Sequence, residues 1–277
     1  MTSISTATPG WLALRAPADD AARSPELARD LARMLPPGSA SSPLVLHDLG
    51  AGTGSMTRWL APRLPGPQRW ILRDGDADIV EHLDLRAVVD ASGTPISSDV
   101  VVEHLASLPS DAFRGAAAVT ASALLDVITE AEAAHIVAAC TDAGTPALFT
   151  LSVTGTVRLR PAEHPDDVER EIGSAFNDHQ RRDQDGRRML GPDAVAVVGA
   201  LFAEAGWNVR TASTPWRLAR GNALTREWLD GWTAAAVEQR PALAREAAGY
   251  RARRDEQAAA GRLRVTVAHE DLLAWPR

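Results

Sequence analysis

The sequence contains no lysine. All 29 of its basic residues are arginines, set against 36 acids, and the formal net charge over 277 residues is −7. Without a side-chain amine there is no Walker-type phosphate loop, no Schiff base and no pyridoxal phosphate attachment. Cysteine is almost as scarce. The single Cys140 excludes an intramolecular disulfide and a multi-cysteine zinc site, so no metal centre is expected. Its setting, Ala134-His135-Ile136-Val137-Ala138-Ala139-Cys140, reads as the inner face of a helix, where a thiol serves as a small hydrophobe rather than a nucleophile. No apolar run approaches the ~20 residues that span a bilayer. Met1-Thr2-Ser3-Ile4-Ser5 has no basic region leading into an apolar core, so a cytoplasmic location without a membrane partner is the expectation. The acidic balance argues against a nucleic-acid partner, because a phosphate backbone calls for a basic face; only a local arginine patch would supply one. What the chain does have is 45% hydrophobic residues, enough for one large domain or a core domain with a smaller insertion.

The most informative stretch is Val45-Leu46-His47-Asp48-Leu49-Gly50-Ala51-Gly52-Thr53-Gly54-Ser55. A short apolar run with a β-branched residue reads as a buried strand, and the glycines after it as a tight loop. Met56 to Leu64 then carries apolar residues at helical spacing. A strand, a glycine turn and a helix start bring bare backbone N–H groups to one place, where a ligand's polar groups can approach them. The third glycine comes one residue too early for the dinucleotide-binding G-x-G-x-x-G. After a turn at Pro65-Gly66-Pro67, Arg69 to Arg73 reads as a second strand ending in Asp74-Gly75-Asp76. An acid about 20 residues beyond the glycines is placed to accept hydrogen bonds from a ribose diol. Asp76 reads instead as the N-cap of a helix from Ala77.

With Asp48, Leu49 and then Gly50-Ala51-Gly52-Thr53-Gly54, the sequence resembles class I S-adenosylmethionine (SAM)-dependent methyltransferases, whose first motif is an acid, an apolar residue and Gly-x-Gly-x-Gly. The resemblance covers residues 44 to about 154. It implies an α/β fold: a doubly wound, seven-stranded, mostly parallel sheet with helices on both faces. An antiparallel last strand slots between strands five and six. It implies SAM as cofactor, with Asp48, Gly50, Ala51, Gly52 and Gly54 against its methionine part, Asp74 and Gly75 at the ribose, and His104 and Leu105 beside the adenine. Ala121 and Ser122, at the end of strand four, complete that set. The activity implied is methyl transfer to a nucleophilic atom of a small molecule, as in secondary metabolism. The amino-methylation motif Asn/Asp-Pro-Pro-Tyr/Phe is missing after strand four, which counts against nucleic-acid and protein nitrogen as acceptors. Two other readings stay open: an NAD(P)-dependent oxidoreductase on the same strand-loop-helix, and a SAM-binding protein without turnover. Monomer and homodimer are both open.

Outside that core the expectations are architectural. Residues 1–40 read as a helical lid: a short helix at Pro17–Arg23 after the anchors Trp11 to Arg15, then a helix capped by Ser24 with Leu27, Leu31, Met34 and Leu35 as its stripe. In the family such a segment folds over the cofactor, which makes Arg15, Asp19 and Arg23 candidates to touch SAM or substrate; salt bridges on a solvated face explain the same charges. Residues 41–277 form the SAM-binding domain, with insertions at about 155–191 and 222–260. Strands are expected at Asp99–Leu105, Gly115–Ser122, Ala147–Thr154, Trp207–Thr211 and Arg262–His269, and helices at Thr129–Cys140, Leu224–Glu238 and Ala242–Gln257. The insertion after strand five is where such folds keep substrate contacts. It holds Arg158, Arg160, His164, Asn177, His179 and Arg182. His179 is the general-base candidate, since imidazole takes a proton near neutral pH. Arg15, Arg23, Asp126, Asn177, Arg182 and Trp216 are the candidates for the acceptor.

Overall fold

The computed structural model describes residues 8–162, 167–184, 186–218 and 223–277; His164 lies outside them. The apolar run ahead of the glycines forms β1 (Leu44–Leu49), in which all but Val45 are buried. A strand covered on both faces belongs in the middle of a parallel sheet. Accordingly β1 pairs in parallel with β2 (Gln68–Asp74) on one side and β4 (Ala118–Ser122) on the other. Parallel pairing continues outward to β3 (Ser97–Val102) and to β5 (Ala147–Arg160). The last strand, β10 (Arg264–Trp275), runs antiparallel between β5 and β8 (Asn208–Ser213). The order is β3-β2-β1-β4-β5-β10-β8, with β9 (Trp216–Leu218) as an eighth member on β10. The expected topology is therefore present, with one strand more than expected.

The pleat sorts side chains to two faces. Ala147, Phe149, Val119, Ala121 and Leu272 enter one apolar cluster with α5 (Glu130–Ala143) and α7 (Ala194–Glu204). Their neighbours Leu148, Ala118 and Leu273 enter the opposite cluster with α2 (Pro25–Met34) and α3 (Ser55–Leu60). Ser24 caps α2 through Leu27 N–H (3.2 Å), as expected, while Met34 turns out to solvent. Asp76 caps the short α4 (Ala77–Val80).

Three segments differ from expectation. The lid begins with one continuous α1 (Pro9–Ala22) that runs through Pro17, because Thr8 caps it eight residues earlier than Pro17 suggested. The third strand ends at Val102, two residues before His104. The fifth strand does not stop at Thr154: it continues to Arg160, because the outer halves of β5 and β10 pair, Arg160 with Arg264 and Val157 with Val267. On that extension sits a third apolar cluster, to which α6 (Asp167–Gln180), α8 (Ala223–Gln239) and α9 (Ala244–Ala259) contribute Ile172, Trp228, Trp232 and Tyr250. A hairpin of β6 (Asp183–Gln184) and β7 (Arg187–Arg188) follows α6.

Candidate active site

The strand order reverses between β1 and β4, and ligands of open α/β sheets bind outside the carboxyl ends of the strands at such a point. The glycine loop lies there. Gly50, Gly52 and Gly54 have φ of 60°, 55° and 82°, a region open to glycine and strained for other residues. A Cβ on Gly50 would stand 2.9 Å from Leu124 Cδ1, so the Leu124 side chain would have to move aside for it. Across from the loop, Asp74 ends β2. Its Oδ2 accepts a hydrogen bond from Gly52 N–H (2.7 Å) and its Oδ1 one from Asp76 N–H (2.9 Å). Ala51 N–H donates to Arg73 O (3.1 Å), a second tie between loop and strand. Gly75 is packed by the exposed His104, whose Nδ1 would lie 2.9 Å from a Cβ there. Leu105, half-buried, opens a single turn after β3.

Asp48 lies beneath the loop rather than in it. It is fully buried, and Thr57 and Thr120 hydroxyls donate to its two oxygens at 2.9 Å each. Burial pushes its carboxyl up to about 6, the two hydroxyls pulling the other way. The structure thus makes Asp48 a support that joins α3 and β4 to β1. Direct contact with a cofactor, expected from the motif, is blocked by this burial.

Both lid arginines are bound, in different ways. Arg15 grips Asp19 through Nε (2.9 Å) and Nη2 (3.2 Å), and lies over the Trp216 ring, whose Nε1–H donates to the same Asp19 (2.9 Å). Arg23, 2% exposed, crosses to the sheet: Nη2 donates to Ser55 Oγ at the start of α3 and to Ser122 Oγ at the end of β4, both at 3.0 Å. Its Nε is buried without a protein partner. Leu12 stands 3.4 Å from where a Cβ on Gly52 would be, so α1 covers the glycine loop.

A cavity of about 420 Å³ opens over the ends of β4 and β5. Its wall includes Trp11, Arg15, Asp126, Asn177, Trp216 and His269. Two of its residues, Ala123 (φ 52°) and Leu151 (φ 59°), are among the described residues the only non-glycines in the left-handed region. Backbone strain of this kind gathers at functional sites. At Leu151 it is held by Asp271, a buried acid that the sequence reading missed. Asp271 accepts from Leu151 N–H, Ser24 N–H and the Thr214 hydroxyl at 2.8 Å each, fixing β5, the lid and the end of β8 around one carboxylate. The only sequence signal was an unbroken polar run, His269-Glu270-Asp271, ahead of the apolar end of the strand. A second cavity of about 540 Å³, between the β5 extension and α6, is lined by Arg158, Arg160 and Glu169; neither cavity includes residues of the glycine loop.

Of the acceptor candidates, Arg15, Asp126, Asn177 and Trp216 meet in the 420 Å³ cavity; Arg23 and Arg182 do not line it. His179 is also absent from it. Its Nδ1 lies 2.6 Å from Arg182 Nη1 and its Nε2 3.3 Å from Glu238 Oε2, so it faces α8, and burial lowers its pKa. His179 therefore stands outside the cavity in which the acceptor candidates meet. Asp126 has the properties sought there: its Oδ1 is buried without a protein partner, and burial raises its carboxyl to about 6, with Arg15 opposing. Cys140 is fully buried on α5 and burial pushes its thiol up, as expected of a core residue.

No protein-family model and no curated protein match the chain. Solved structures similar to it include a mycolic acid cyclopropane synthase complexed with S-adenosylhomocysteine (SAH) and CTAB. It is 15% identical, with a TM-score of 0.46, over 89% of this chain and 82% of that one. A second is the cyclopropane synthase MmaA2 from Mycobacterium tuberculosis (14%, 0.45, 90% and 82%). A third is a SAM-dependent methyltransferase from Geobacter sulfurreducens in complex with SAH (16%, 0.42, 96% and 98%). By its own sheet order, with antiparallel β10 between β5 and β8, the chain has the class I SAM-dependent methyltransferase fold.

Proposed function

We propose that the protein is a SAM-dependent methyltransferase that acts on a small molecule. The observation that carries this reading is the tie between Asp74 and Gly52 N–H, which holds a carboxylate suited to a ribose diol against a loop of bare backbone. The residues present fit SAM. The Gly50–Gly54 loop presents bare backbone beside Asp74, and Arg23, ion-paired to Asp20 and with an orphaned Nε, meets Ser55 and Ser122 at the start of α3 and the end of β4. Asp74 keeps lone pairs for the ribose hydroxyls beyond the two N–H groups it already accepts. Gly75, His104 and Leu105 form the flank left for adenine.

SAM supplies a methyl carbon made electrophilic by its sulfonium charge. The protein's share is to orient the acceptor in line and keep water out. Residues 1–40 serve as the lid, with Leu12 over the loop and Arg23 on the sheet. The segments at 155–191 and 222–260 bring Phe176, Asn177, Gln180 and Trp228 to the acceptor cavity. Asp126, half-ionised near pH 6, is placed to hold the proton of an acceptor O–H or N–H. A thermal-shift panel tests the assignment. SAM and SAH should raise the melting temperature and NAD⁺ and NADP⁺ should not; a shift with a nicotinamide nucleotide alone would transfer the site to the oxidoreductase reading.

A further inference from the structure

The acceptor cavity has a chemical bias that its wall makes explicit. Three of its acceptor atoms, Asp126 Oδ1, Asn177 Oδ1 and Gln180 Oε1, are buried and find no hydrogen-bond partner in the protein. Several of the donors nearby are already committed. Asn177 Nδ2–H donates to Gly155 O (3.0 Å), which fixes the amide with its oxygen outward. Trp216 Nε1–H and the Nε and Nη2 groups of Arg15 all point to Asp19. His269 adds a fourth acceptor: its Nδ1 lies 3.0 Å from Val267 O, which takes the ring proton and leaves Nε2 as a lone pair. Burial keeps that ring neutral at pH 7, its pKa held down at about 4. The remaining wall is apolar and aromatic, with Trp11, Phe176 and Trp228 among its residues.

We infer, resting on the methyltransferase reading, that the methyl acceptor is a flat aromatic or heteroaromatic molecule carrying N–H or O–H donors along one edge. Each buried acceptor left unpaired costs free energy that a ligand donor recovers, so donors are rewarded and their absence is penalised. Ring faces are what indole and phenyl walls accommodate best. A carboxylate or phosphate on the acceptor would meet Asp126 and three lone pairs, and the arginine on the wall, Arg15, is already paired with Asp19, which discriminates against anionic molecules. The cavity volume is that of a site for one small molecule.

Four bicyclic probes test this by titration calorimetry, each with and without saturating SAH: 2,3-dihydroxynaphthalene, 2-aminobenzimidazole, 2,3-dimethoxynaphthalene and 2-naphthoate. The two donor-bearing probes should bind about tenfold or more tighter than the methoxy and carboxylate probes. Asp126→Asn, which keeps the shape and should melt no lower than wild type, should weaken 2-aminobenzimidazole about tenfold. Equal or tighter binding of the methoxy or carboxylate probe, no binding by either donor probe, or an unchanged preference in Asp126→Asn would overturn the inference. The SAH arm separates the two claims. A donor preference without SAH binding would refute the cofactor assignment alone, and SAH binding without a donor preference would refute this inference alone.

Discussion

At the scale of single residues, the site rests on carboxylates that do different work at short range. Asp74 is half-exposed and aimed at the loop, Asp126 half-buried on the cavity wall, and Asp48 and Asp271 fully buried as braces. Burial carries a stability cost that has a sign in pH. The Asp48 carboxyl titrates at about 6 in the folded chain against 3.8 in the unfolded one. Between those values the folded state holds the extra proton, so this group's contribution falls as pH rises from 3.8 and is fully lost above 6. The difference corresponds to roughly 3 kcal/mol as an upper figure. Asp48→Asn should therefore melt near wild type at pH 4 and above it at pH 7.5, with the gap opening between; an equal gap at both pH values would contradict the burial argument. Sequence made Asp74 legible because its distance from the glycines has a chemical meaning. It could not separate Asp48 from the loop, since a motif gives spacing and not depth. Asp126 was legible only as a position after strand four, and Asp271 not at all, because what it binds lies 120 and 247 residues away. His179 read as a base by residue type, while its side chain meets Arg182, just past α6, and Glu238 on α8, outside the cavity.

At the scale of elements, local signals were the reliable ones. α5 carries both of its ends in the sequence: Thr129 and Glu132 form a reciprocal capping box, and Gly144 ends the helix at φ 66°. Thr129→Ala should lower stability by about 1 kcal/mol, measured by denaturant unfolding. The helix also positions the segment that bears Asp126, so a neutral result would mean that the Arg187–Glu132 pair holds α5 without its cap. The reach of β5 to Arg160 was hidden for the opposite reason. Gly155 to Arg160 alternates as a strand does, yet what makes it one is pairing with Arg264 to Val267, more than a hundred residues later. The lid shows a third case. Pro17 signals a helix start, and the stronger cap at Thr8 overrides it.

At the scale of the whole molecule, two apolar layers fix a sheet whose strand order reverses between β1 and β4, and a third cluster on the extension of β5 supplies Trp216, Trp228 and Val267 to the cavity wall. Among the described residues no helix is long and apolar enough to cross a membrane. The alternation of strands and helices made the sheet predictable, while the cavity wall draws on β5, α6, β9 and α8, which only the fold brings together. The central claim is that the Asp74-bound glycine loop is a SAM site. Titration calorimetry of SAH into wild type and Asp74→Ala tests it most directly. The account predicts one-to-one binding of SAH to wild type, weakened about tenfold or more in Asp74→Ala while the variant stays folded. An Asp74→Ala protein that binds SAH as wild type does, or a wild type that binds NAD⁺ and not SAH, would contradict it.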